Sequence, residues 1–215
     1  RSTLMRSSAS SDVYKRQGIG GTIGTRAKAI ISDCQSRQDV LLRAIELCGS
    51  NPIDAKSLYV VSHCYVWLGA KYRPQAIEYL EKYIAAGASW SGTPRDIIDM
   101  GGYSVDQLSS NRASVYHYLG KAYEGEYMFE KAENAYREAE SLCPDFATYS
   151  VCVANTFVKR NDLERAKAYL NSKKQTIYYK NNVDDYKILL NAALNDINSK
   201  IEKGYVYKPR GKSRK

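Results

Sequence analysis

Thirty-four residues separate Ala113 from Ala147, Gly120 from Ala154 and Ala132 from Ala166, and the same shift carries Tyr123 onto Phe157 and Tyr136 onto Leu170. A fixed period of this length marks a stacked repeat, in which one supersecondary unit cannot bury its apolar face alone. In the clearer copy, ASVYHYLGKAYEGEYMFEKAENAYREAESLCPD, each position has a physical reason. Gly120 and Ala132 are small where two helices approach closely, Tyr123 and Tyr136 fill the gap between them, and Pro144 ends the second helix. The unit is therefore expected to be a helical hairpin.

Tyr116, Leu119, Gly120, Tyr123, Ala132, Tyr136 and Pro144 together resemble the tetratricopeptide (TPR) pattern, with Tyr replacing the usual Trp and Phe. The resemblance implies an all-α, TPR-like helical-hairpin solenoid with a C-terminal capping helix. The next copy, ATYSVCVANTFVKRNDLERAKAYLNSKK, departs from the pattern at Ser150 and Tyr178 and reads as a degenerate repeat near the end of the array. Upstream, aligning Ala55 with Ala113 puts Leu58, Val61, Ser62 and Tyr65 on the first-helix positions and Ala76 with Leu80 in the second helix. Ala55 to Ala76 spans 21 positions against 19 from Ala113 to Ala132, so this internal turn is two residues longer. A register with Trp67 in the place of Tyr65, and Cys64 at the small position, remains open. SRQDVLLRAIELCGSNP, with Val40, Leu41, Ala44, Ile45 and Leu47 on one face and then Pro52, reads as the second helix of a truncated repeat whose first helix falls in TRAKAIISDC.

The expected organisation is a linker and partial repeat over 18–54 and TPR-like repeats over 55–181, with an insertion at 87–111. A capping helix follows at 182–204 and a basic disordered tail at 205–215. The insertion, GASWSGTPRDIIDMGGYSVDQLSSN, has two readings: a binding loop anchored by Trp90 or Tyr103, or a short helix around Asp96 to Met100 that packs locally. In the capping segment Val183, Tyr186, Leu190, Ala193, Leu194, Ile197 and Ile201 recur at helical spacing, as a polar-backed closing helix requires.

Charge bounds the function classes. Of the formal +9, the tail KPRGKSRK carries +5 and residues 1–17 carry +3, leaving +1 for residues 18–207. Residues 1–17 are expected to be non-native: DVYKRQ can be written GAT GTG TAT AAG AGA CAG, which resembles the end of a transposase-based sequencing adapter. The chain is accordingly read as a metagenomic fragment whose native start is missing. GIGGTIG follows no strand and lacks the downstream context of a dinucleotide site, so it reads as a linker. No apolar run reaches the ~18 residues that a bilayer span needs. Five cysteines at Cys34, Cys48, Cys64, Cys143 and Cys152 form neither a disulfide framework nor a zinc ribbon, which fits reduced thiols and a cytoplasmic setting. No metal or cofactor is expected, because His63 beside Cys64 points about 100° away from it on a helix.

The resemblance also implies a site. In TPR proteins the first helices of successive repeats line a groove that binds peptides or helices. Carried over, the groove positions are Tyr59, His63, Val66 and Trp67 in one unit, His117, Lys121 and Glu124 in the next, and Val151, Asn155, Val158 and Lys159 in the third. The expected function is a non-enzymatic module that holds a peptide or helix of a partner protein. A solvated face without a ligand is the plainer alternative. A catalytic His/Glu site is disfavoured, since no nucleophile or metal-ligand spacing accompanies either histidine. Chaperone-tail capture is not expected, because Val151 stands where a Lys would be needed. The alternative from another class is a nucleic-acid-associated regulator using the basic tail, or the scaffold or sensor part of a larger protein.

Overall fold

The computed structural model describes residues 37–49, 55–87 and 108–209, and all described regular structure is helical. The adapter-like segment, GIGGTIG, TRAKAIISDC, the core of the insertion with Asp96 to Met100, and residues 210–215 lie outside the described residues. The chain divides after Leu108 into two compact units.

In the first unit α1 (Arg37–Leu47) and α2 (Ala55–Leu68) pack together, and α2 packs in turn on α3 (Arg73–Ala85). Leu41, Val60 and Cys64 form the α1–α2 core, with Ile45, Cys48, Tyr59 and Leu68 around them. Leu58, Val61, Ser62, Ala76 and Leu80 are all buried, whereas Trp67 is 51% exposed. Ser62 and Cys64 are both buried, but the exposure of Trp67 against half-buried Tyr65 disfavours the register with Trp67 in the place of Tyr65. The internal turn, residues 69–72, is one residue longer than residues 126–128 of the next hairpin, the second extra residue falling within α2. Gly69, at φ 88, ends α2, one turn of 3-10 helix (Ala70–Tyr72) follows, and Pro74 sits in the first turn of α3, where its missing N–H costs nothing.

The second unit contains α4 (Leu108–Gly125), α5 (Phe129–Leu142), α6 (Ala147–Lys159), α7 (Leu163–Lys173), α8 (Ile177–Asn181) and α9 (Tyr186–Glu202). The 34-residue period reappears in the backbone. Tyr127 (φ 63) and Asn161 (φ 62) reverse the chain after α4 and α6 in the same left-handed conformation. Met128 N–H donates to the Tyr123 carbonyl at 2.9 Å, and Asp162 N–H to the Phe157 carbonyl at 2.9 Å. These six-residue closures satisfy carbonyls that a helix end would otherwise leave without partners. The next layer is as close as side chains allow: a Cβ built on Gly120 would lie 2.5 Å from the Tyr136 ring. Asp162 also accepts the Arg165 N–H at 3.1 Å, which caps α7.

α6 packs on α5, α7 and α9, and α7 packs on α9. Tyr186, Leu190, Leu194 and Ile197 form the buried row of α9. The period alone did not reveal α8, which opens on Thr176 accepting the Tyr179 N–H. The outward side of α9 is less polar than expected, since Ile188 and Leu189 are exposed. Among the described residues no helix is long and apolar enough to cross a membrane.

Candidate functional site

The groove positions of the second unit fall on α4 and α6, and the fold joins the two helices there. Spacings of four and three place His117, Lys121 and Glu124 on one face of α4. Glu124 is held from two sides. The Tyr136 hydroxyl donates to its Oε2 at 2.6 Å, and the Lys159 ammonium pairs with its Oε1. Both partners are largely screened from water, and burial pushes the Lys159 ammonium below its ordinary value. The pair therefore ties the ends of successive first helices together.

His117 is half-buried among rings, with Tyr149 at 5.3 Å, Tyr136 at 5.7 Å and Tyr118 at 5.9 Å between centroids. Its Nε2 stands 3.6 Å from the Cys152 Sγ. Burial, reinforced by the charge of Lys121, brings the imidazole down to about 4. Burial also pushes the Cys152 thiol up to about 11, with Lys121 opposing. Both groups are thus neutral near pH 7, the opposite of the thiolate–imidazolium state that an activated cysteine requires. Lys121 and Asn155, which are equivalent by the 34-residue shift, are exposed; Val151 is half-buried and Val158 is buried. Val158 accordingly contributes packing beneath the face.

In the first unit Tyr59, His63 and Trp67 form a ladder along α2. The Tyr59 and His63 rings lie 3.9 Å apart, and the Trp67 ring stands edge-on to His63 at 6.1 Å. His63 is buried, with Nδ1 2.9 Å from the Tyr59 carbonyl, and burial takes its imidazole down to about 4. Val66 is half-buried, leaving Trp67 as the outward member. Among the described residues no group of three or more His, Cys, Asp or Glu side chains could hold a metal ion.

Sequence reasoning passed over two carboxylates on α5, Glu133 and Glu140, which are buried. Glu133 receives Arg137 Nε at 2.9 Å and the Arg160 guanidinium, with Arg165 at 3.7 Å. Glu140 receives the Tyr169 hydroxyl at 2.5 Å, Lys173 Nζ at 2.8 Å and the Ser150 hydroxyl. A signal was present: the dipeptide Ala-Glu recurs at 132–133 and 139–140, seven residues apart, beside the small positions that face the next helix.

No protein-family model matches the chain, and a search of curated proteins gives no significant match. Among solved structures, the crystal structure of MamA protein matches with a TM-score of 0.50 and 16% identity, over 88% of this chain and 100% of that one. MamA from Desulfovibrio magneticus RS-1, from residue 41 to its end, matches with a TM-score of 0.48 and 19% identity, over 71% of this chain and 72% of that one. MamA is a TPR-like helical protein. The chain thus has an all-α, TPR-like helical-hairpin fold.

Proposed function

We propose that the chain is a non-enzymatic protein-interaction module, and that the first-helix face of α4 and α6 holds a peptide or helical segment of a partner protein. One observation carries the reading. Lys121 and Asn155 stand exposed at equivalent positions of successive first helices, beside the Glu124–Lys159 pair that joins those helices. A face fixed in this way is preformed, so most of the ordering cost of binding falls on the partner segment. Half-buried His117 and Val151 supply apolar and aromatic surface next to these polar groups, with the buried Tyr149 ring packed beneath His117, which suits a segment with mixed side chains. In the first unit Tyr59, Val66 and Trp67, with His63 beneath them, are the corresponding contacts.

Peptides selected from a display library on the immobilised full chain provide the test. Affinities of individual selected peptides are compared for the parent protein, Lys121→Glu, Asn155→Ala, and the second-helix controls Glu138→Lys and Glu164→Lys. The first two variants are expected to weaken binding about tenfold, equivalent to about 1.4 kcal/mol, with the controls within about twofold. Loss confined to the controls, or no loss at positions 121 and 155, overturns the reading.

A further inference from the structure

After α9 the chain reverses at Gly204 (φ 58), with Tyr205 N–H donating to the Lys200 carbonyl at 2.9 Å. The segment that follows returns to the turn between α6 and α7. There one side chain meets both main-chain groups of one residue: Tyr207 N–H donates to Asn161 Oδ1 at 2.5 Å, and Asn161 Nδ2 donates to the Tyr207 carbonyl at 3.4 Å. The Tyr207 ring stands edge-on to Phe129, the first residue of α5, at 5.9 Å, and Phe129 stands edge-on to Tyr127 at 6.1 Å. Of residues 205–209 only Tyr207 is half-buried, the others being exposed, so the segment is held to the surface at this one residue.

An amide that closes both the N–H and the C=O of one residue copies the pairing of an antiparallel sheet edge, so it reads extended backbone whatever its sequence. The Phe129 ring adds a preference for an aromatic side chain. The turn itself does not require the amide. Tyr127, at the equivalent position of the preceding hairpin, reaches the same left-handed φ without one, and glycine would adopt that φ with less strain.

We propose that the edge formed by these two interhelix turns, Tyr127 to Phe129 and Asn161, is a docking site for an extended segment bearing an aromatic residue. The site is distinct from the first-helix face, and its resident occupant is the chain's own Tyr205–Pro209. A partner segment of the same chemistry competes with this occupant for the Asn161 clamp.

Two measurements on the full chain test the site. By hydrogen exchange, the Tyr207 amide exchanges about tenfold faster in Asn161→Gly than in the parent protein, while the helical amides of α6 and α7 keep their rates. Glycine retains the left-handed turn, so this variant removes the amide without disturbing the reversal. Equal Tyr207 exchange in the two proteins overturns the clamp. In the second measurement the full chain carrying Tyr207→Pro, which removes the N–H that Asn161 accepts along with the ring, is titrated with a labelled synthetic peptide of residues 203–209, Lys-Gly-Tyr-Val-Tyr-Lys-Pro. Saturable binding that Asn161→Gly abolishes supports docking in trans. Absence of saturable binding, or binding indifferent to Asn161, overturns it.

Discussion

A methyl group added at Gly120 would press into the Tyr136 ring, yet the next repeat has Ala154 at the same position and buries it fully. The partner position explains the difference: Tyr136 becomes Leu170 there, and both are fully buried. Gly120→Ala is therefore expected to destabilise the protein by about 1–3 kcal/mol. Combined with Tyr136→Leu, its added cost should shrink, which a double-mutant cycle in urea would measure as coupling between the two sites. A second prediction concerns pH. Burial holds the His63 imidazole at about 4, below its ordinary 6.5, so below about pH 6.5 the unfolded chain takes up a proton that the folded chain refuses. The stability from keeping this ring neutral is present above about 6.5 and is lost as pH falls towards 4, by up to about 3 kcal/mol. His117 acts in the same direction. Urea midpoints measured from pH 7 to pH 4.5 should fall, and should fall less steeply in His63→Gln.

At the scale of elements, α5 joins the hairpins through charge as well as packing. Glu133 is buried against arginines from its own helix, from the end of α6 and from α7. The arginines left behind reach solvent, so Glu133→Ala loses charge-assisted hydrogen bonds without stranding a buried charge and is expected to cost about 1–3 kcal/mol. The exposed Glu78–Lys82 pair on α3 offers the contrast, and Glu78→Ala should leave the urea midpoint nearly unchanged. The closing helix divides in the same manner. Leu190 lies in its buried row and Ile188 on its outward side; Leu190→Ala should cost about 2–5 kcal/mol, and Ile188→Ser about 0.5 kcal/mol or less. The buried row of α9 was legible because its period is that of a helix. The segment before it was not, because the degenerate copy, without the pattern's proline at Tyr178, ends in the short helix α8 capped by Thr176, and a 3-10 turn, Val183–Asp185, leads into α9.

For the whole molecule, the readable part was what the 34-residue period imposes. It gave the paired helices, the small positions at Gly120 and Ala154, and the filling rings at Tyr123 and Phe157. Features that depend on one side chain meeting another far along the chain were harder to see. Tyr127 carries no glycine or asparagine signal for a left-handed turn, Glu133 and Glu140 look like ordinary surface acids, and the Asn161–Tyr207 contact joins residues 46 apart. The proposed face shows the same division. Lys121 and Asn155 stand exposed where the repeat pattern put them, but the Glu124–Lys159 link between their helices comes only from the packed structure.

The central claim is that a partner sits on the α4–α6 face. Photo-crosslinking tests it most directly, with the crosslinking residue placed in the full chain at Asn155 and, as the comparison, at Glu138 on α5. Incubation with the peptides selected on this protein should give a crosslinked product from position 155 and little from position 138. Equal yields at the two positions, or product from position 138 alone, would contradict the account.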